Sequence, residues 1–208
     1  MTPGERQHAF GEHHAPTPVD LLGVWLSSVR LRRHLGRLDG LRLGDFGCGY
    51  NATFTRSVLN RVRSAVLVDV ALAADLRTHP KVTALEGALP GVLQGVPGAS
   101  LDVVLCVSVL EHLWNPLDAL VEIRRVLRPG GVCLLNVPSW RGKRLLELSA
   151  FVLRLSPREE MNDHKMYYDT KDLWPLLVRA GFLPDSIKVF PHKLGLNTFA
   201  VCRVHRDG

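Results

Sequence analysis

Between Leu41 and Phe54 the chain reads LRLGDFGCGYNATF, an apolar run that closes on Asp45, Gly47 and Gly49. Glycine weakens a strand, so its recurrence at the end of one implies a sharp bend or a very close approach to the backbone. The stretch GCGYNA, Gly47 to Ala52, fits G-x-G-x-x-G/A, and Asp69 closes the next apolar run about 20 residues on. Glycines of this kind admit a ligand at the carboxyl end of a central strand, and an acid ending the second strand can accept hydrogen bonds from both ribose hydroxyls. A plain strand-to-helix turn would account for the glycines but not for Asp69.

Asp45 discriminates between nucleoside ligands. A carboxylate two residues before the first glycine repels a pyrophosphate and suits a ligand that carries a sulfonium and an ammonium. The charge therefore favours S-adenosylmethionine over NAD. For a methyl acceptor with a hydroxyl, a histidine is the natural base. His112, after the fourth apolar run, and His164, in NDHKMYY, are the candidates. The competing reading makes His112 a packing residue beneath the ligand and His164 a loop anchor. Trp114, Trp140, Tyr167 and Tyr168 can line an acceptor pocket or can simply be core.

These residues need a scaffold. Seven strand-like runs occur: LRLGDF, SAVLVDV, VTALEG, LDVVLCV, GVCLLNV, SIKVF and NTFAVCRV. Helical patterns lie between the earlier ones, near 52–62, 71–78 and 115–127, with another near 170–180 and an amphipathic one over Asp20–Leu38. Continuous apolar strands separated by helices imply an α/β fold with a parallel sheet covered on both faces. The last two runs are too close together for a crossover and should form an antiparallel hairpin. LRPGG, Leu127 to Gly131, ends the preceding helix and turns the chain into the fifth strand.

With 46% hydrophobic and 22% charged residues in 208, the chain has the composition of one globular domain. Residues 1–18 read as a flexible arm, 19–208 as a single domain, and 139–168 as an insertion that covers the substrate. Within the insertion, Arg141–Leu155 is basic and then amphipathic, a lid helix or a segment that rests on a lipid surface. No run approaches the length of a membrane span and no signal peptide is evident, so the expected location is the cytoplasm, without membrane insertion. The four cysteines lack metal-like spacing and are expected to be reduced. The net charge of +6 is spread over several helical segments, which reads as solvated faces; a nucleic-acid partner is disfavoured.

Taken in order, these motifs resemble the class I S-adenosylmethionine-dependent methyltransferases, in particular the group that acts on small molecules. LGDFGCGYN is similar to the family's first motif, and Asp69 in VLVDV to its ribose-binding acid. LDVVLCVSVLEHL is similar to the fourth strand and its sequel, RRVLRPGGVCLLNVP to the next helix and strand, and DHKMYYDTKDLWPLLVRAGF to the late histidine-bearing loop and helix. The resemblance spans roughly Leu41–Val204 and implies a Rossmann-like seven-stranded sheet, mostly parallel with a C-terminal antiparallel hairpin, helices on both faces. It implies cofactor contacts at Asp45, Gly47, Cys48, Gly49, Asn51, Asp69, Val70, Gly87, Ala88 and Val107.

Two positions depart from the family pattern. Asn51 stands where a third glycine is common, although Asn tolerates left-handed angles. Ala88, in EGALP, stands where an aspartate usually meets the adenine amino group. The Glu111–His112 pair is similar to metal-dependent relatives in quinone and RNA methylation, but Ser108 occupies the place of their second acid. Too few ligands are then in view, and no metal is expected.

The expected function is methyl transfer from S-adenosylmethionine, giving S-adenosylhomocysteine, to a hydroxyl or less readily an amine of a small metabolite, sugar or lipid-linked acceptor. The alternatives are an RNA methyltransferase, a non-catalytic methyltransferase-like binding domain, and an NAD-dependent oxidoreductase. Against a base N-methylase, the fourth strand leads into VSVLEH and not into a motif that stacks a flipped base. A homodimer is left open.

Overall fold

The computed structural model describes residues 8–13, 17–144 and 164–205. The amphipathic segment beyond Arg144 and much of the expected N-terminal arm lie outside the described residues. The described elements are α1 (Pro18–Leu35), β1 (Arg42–Phe46), α2 (Thr53–Arg56), β2 (Ser64–Asp69), α3 (Ala74–Arg77) and β3 (Val82–Glu86). They continue with β4 (Leu101–Val107), α4 (Pro116–Val126), β5 (Leu127–Pro138), α5 (Thr170–Arg179), β6 (Ile187–His192) and β7 (Asn197–Arg203).

The seven strands form one sheet in the order β3-β2-β1-β4-β5-β7-β6. β1 to β5 run parallel, and β7 is antiparallel to both β5 and β6, so the C-terminal hairpin stands as expected. The strand order reverses between β1 and β4, and a crevice opens outside the carboxyl ends of strands at such a switch point. The sheet separates two apolar clusters. One holds Val104, Cys106, Leu135, Leu120, Ile123 and Leu173, packing α4 and α5 on one face. The other holds Leu43, Leu67, Leu105, Leu31 and Leu35, packing α1 on the opposite face.

Local signals set the helix ends. Thr17 caps α1 in a reciprocal box with Asp20, Pro18 begins the helix, and Arg32, Arg33 and His34 complement its dipole at the far end. The helix stops at Leu35, short of the expected Leu38, because Gly36 turns left-handed at φ 62°. The helix expected near 52–62 contracts to α2, followed by turns through Arg61 and Val62. At LRPGG the chain pairs earlier than expected: Leu127 already lies beside Leu101, and regular pairing resumes at Val103 and Val132 after an irregularity. Gly130, at φ 78°, accommodates the bend. Among the described residues, no helix is long and apolar enough to cross a membrane.

Candidate functional site

The loop after β1 is held by its backbone. The amides of Gly47 and Cys48 donate to Val68 O at 2.7 and 3.3 Å, and Gly47 and Gly49 take left-handed φ values of 76° and 74°. A Cβ added at Gly47 would lie 2.1 Å from Val109 Cγ2, so the loop passes as close to the end of β4 as a side-chain-free residue permits. The third left-handed residue is Ala52, at φ 42°, not Asn51. The turn therefore closes at the last position of G-x-G-x-x-A, one residue after the family's common third glycine, and Ala52 caps the start of α2.

Asp69 organises this loop. Its carboxylate accepts hydrogen bonds from Gly49 N at 2.7 Å and Val70 N at 2.8 Å. Asp45 lies deeper and is buried; it accepts from Thr55 Oγ1 at 2.6 Å. Burial pushes its pKa up to about 6, the Thr55 bond pulls against that rise, and Asp69 adds to it. Cys48 is half-buried, with Sγ 3.5 Å from Gly49 O, and burial raises its thiol far from reactivity. At the end of β3, Gly87 N donates to Asp69 O, and Ala88 O accepts from Val92 N.

Register places Asp45 beside Leu105, and Val107 beside Asn136. Alternate residues of a strand share a face, so Asp45, Val107 and Asn136 lie on the α1 side of the sheet. Directly after β4, Ser108 is left-handed at φ 56° and its amide donates to Asn136 O. Strain of this kind at a non-glycine residue clusters at functional sites.

The chain at 164–168 returns against the segment after β4. Lys165 N donates to Glu111 O at 2.6 Å, and Tyr168 N to Pro138 O at 2.9 Å. His164 comes to a ring separation of 4.9 Å from His112, and its Nδ1 lies 3.1 Å from the Tyr167 hydroxyl. Glu111 is buried beneath them. Carboxylate and imidazole ligand atoms of Glu111, His112 and His164 lie within 4.8 Å of one another. The sequence reading named His164 only as a candidate base and counted Glu111 and His112 alone toward a metal; the return of residue 164 brings the third donor to them, and a Glu-His-His set is one that a divalent ion accepts.

The aromatic residues divide. Trp140 and Tyr167 pack together at 5.6 Å beside His164, and the Trp140 indole N–H donates to Asp172. Tyr168 belongs to the core, its hydroxyl on Leu110 O and its pKa pushed up to about 12, chiefly by burial. Trp114 is exposed, with the Lys165 ammonium over its ring.

Three polar residues escaped the sequence reading. Asn136 is fully buried, and neither polar atom of its side chain has a hydrogen-bond partner among the described residues. The signal was there: it is the polar residue within CLLNV. His192 ends β6, and burial together with Arg30 and Lys193 lowers its pKa to about 4, against a hydrogen bond with the Leu26 backbone. Lys193 follows in a left-handed conformation, its pKa lowered to about 8 by burial and held up by the Glu111 charge. No local pattern announces that conformation.

A family model described as a methyltransferase domain matches residues 44–135. A protein of Mycolicibacterium smegmatis described as a probable S-adenosylmethionine-dependent methyltransferase is 32% identical over 81% of this chain and 62% of its own length. This chain thus spans about three fifths of that relative. A ubiquinone biosynthesis O-methyltransferase of Rickettsia bellii is 20% identical over 86% of this chain and 75% of its own. Among solved structures, an S-adenosylmethionine-dependent methyltransferase of Archaeoglobus fulgidus superposes with a TM-score of 0.63 at 16% identity, covering 86% of this chain and 93% of that one. That likeness concerns the fold.

Proposed function

Because the chain belongs to the class I S-adenosylmethionine-dependent methyltransferase family, we propose that it methylates a hydroxyl, less readily an amine, of a small metabolite, sugar or lipid-linked acceptor. The observation that carries this reading is the pairing of a close-packed glycine loop with two carboxylates, Asp45 and Asp69, at the switch point of the sheet. The residues present fit the cofactor. A carboxylate offers about four lone-pair sites, so Asp69 can hold the loop amides and still accept from ribose hydroxyls. Asp45 sets a negative charge behind the loop, which favours a cationic ligand over a diphosphate.

When bound, S-adenosylmethionine supplies an activated methyl group, and the protein's part is to position and desolvate the acceptor. His112 and His164 stand beyond β4, on the acceptor side of the proposed site, and one imidazole takes the hydroxyl proton as the nucleophile forms. The Tyr167 hydroxyl fixes the orientation of the His164 ring, and Trp140 and Tyr167 wall the acceptor space. This chemistry requires no ion.

Calorimetric titration of the full chain with S-adenosylmethionine, S-adenosylhomocysteine and NAD, with Asp69→Ala beside the wild type, tests the cofactor. Binding of the two sulfur nucleosides alone, lost in the variant, is the expected result; NAD binding or silence from both nucleosides refutes it. Once an acceptor is found by screening extracts, either His112→Gln or His164→Gln should lower kcat by about 10²–10⁴ with cofactor affinity nearly unchanged; full turnover in both variants refutes the base. At saturating cofactor, kcat should survive EDTA. Loss of turnover on chelation would move Glu111, His112 and His164 from base to metal ligands.

A further inference from the structure

Residues 8–13 fold into a tight turn with two unlike sides. Glu12 N donates to Ala9 O, Glu12 Oε2 accepts from Ala9 N at 2.9 Å, and Gly11 is left-handed at φ 77°. The inner side grips the glycine loop. Ala9 is buried, Phe10 O accepts from Tyr50 N at 2.9 Å, and that same oxygen lies 3.2 Å from where a Cβ on Gly49 would stand. The outer side presents His8, Glu12 and His13, with the two histidine side chains 62% and 54% exposed.

The outer three converge. His13 Nε2 is 3.0 Å from His8 Nδ1, Glu12 Oε2 is 3.7 Å from His8 Nδ1, and Glu12 Oε1 is 3.7 Å from His13 Nε2. A divalent ion with bonds of about 2.1 Å holds its ligand atoms about 3.0–3.4 Å apart, in octahedral and tetrahedral geometry respectively. The three donors lie within 4.8 Å of one another, so small rotations of side chains on one short turn close them on an ion. Their exposure leaves the remaining coordination positions to water. Two imidazoles and a carboxylate select borderline divalent ions such as Zn²⁺, Co²⁺ or Ni²⁺ over Ca²⁺ or Mg²⁺.

We propose that His8, Glu12 and His13 form a divalent-metal site that clamps the N-terminal turn onto the glycine loop. The ion binds three side chains of one short turn, and that turn is tied to the loop through Phe10 and Tyr50, so holding the turn folded holds the loop. On the reading of the loop as the cofactor site, coupling is reciprocal: whatever the metal adds to cofactor affinity, the cofactor adds to metal affinity. The competing account is a hydrogen-bonded histidine pair beside Glu12 with no affinity for ions.

The test uses the untagged full chain, stripped with EDTA and desalted, titrated calorimetrically with ZnCl₂ and CoCl₂. The wild type should take up the ion, His8→Ala/His13→Ala should bind at least tenfold more weakly, and Glu111→Gln/His164→Gln should retain the uptake. Equal binding by the histidine-to-alanine variant, or loss of binding only in the Glu111 and His164 variant, overturns the site. Hydrogen exchange of the Tyr50 amide, measured without any nucleoside, tests the clamp separately from the cofactor assignment. Zn²⁺ should slow that exchange in the wild type and not in the double alanine variant; unchanged exchange overturns the clamp.

Discussion

Replacing Asp45 with asparagine sets stability against binding. Asp45 is buried and its pKa stands at about 6 in place of 3.8, so keeping it ionised in the folded state costs on the order of 3 kcal/mol. The sign follows from linkage. A carboxyl with a raised folded pKa stabilises the protein while it is protonated, below its unfolded value, and that contribution is lost as pH rises through about 6. Most of the change, about 2.5 kcal/mol, falls between pH 4 and pH 8. The asparagine of D45N would accept the same Thr55 hydroxyl bond and cannot ionise. Any constant penalty from its amide cancels when the difference between two pH values is compared. Urea denaturation of both proteins at pH 4 and pH 8 should therefore show the wild type losing about 2.5 kcal/mol relative to D45N across that range. Binding should move the other way. At an effective dielectric constant near 20, opposite unit charges attract by about 4 kcal/mol at about 4 Å and by less in inverse proportion to their separation. D45N should thus lose affinity for the sulfonium cofactor and much less for the product, whose sulfur is neutral. An unchanged pH difference in stability would refute the placement of a charged Asp45 in a dry site. Equal losses for sulfonium and thioether would refute its role toward the cofactor's charge.

Three further outcomes follow from the same geometry. Gly47→Ala forces a left-handed alanine and a contact with Val109, costing about 1–2 kcal/mol for the backbone and about 1–3 for overpacking; adding Val109→Ala should restore only the second part, read as Tm. Asn136→Leu removes two buried polar atoms that have no partner among the described residues, so it should gain about 1–3 kcal/mol in denaturant unfolding while weakening nucleoside or acceptor binding; a destabilised variant refutes this. His192, with a pKa of about 4, makes the fold lose stability as pH falls from 6.5 toward 4, opposite in sense to Asp45. His192→Gln should therefore leave a protein whose stability climbs more steeply on acidification than that of the wild type, measured by urea midpoints at steps between pH 4 and 7.

Much of the scaffold was legible because it rests on local signals. Continuous apolar runs marked β1 to β5 as strands of a covered parallel sheet, although β3, at the edge, is only partly buried, and the short gap between the last two runs marked the hairpin. Helical spacing of apolar residues marked α1 and a helical pattern near 170–180 marked α5, while the capping boxes at Thr17 and Asp169 went unread. Boundaries slipped where a single backbone angle decides them. Gly36 ends α1 three residues early, and the left-handed Ala52 starts a helix that is only Thr53–Arg56. The glycines of the loop were readable as requirements, but their reasons were not. Gly47 is glycine because Val109, far along the chain, occupies the space a Cβ would need.

The same distinction governs the chemistry. Asp45 and Asp69 could be read together because adjacent parallel strands joined by the glycine loop and α2 set their spacing in sequence. His112 and His164 could only be named one at a time. Their meeting depends on Lys165 and Met166 donating to Glu111 O, on Tyr168 donating to Pro138 O, and on the Tyr168 hydroxyl reaching Leu110. None of those bonds has a sequence period, since each joins the returning segment to a short helical turn or a strand end far away in sequence. The buried Glu111 shows the cost of missing such contacts. In sequence it is half of a Glu-His pair that lacks an acid at Ser108; in space it is one of three donors gathered by a return of the chain. Residue types set the chemistry available at this edge of the sheet, and the main-chain bonds of the returning segment select which groups meet there.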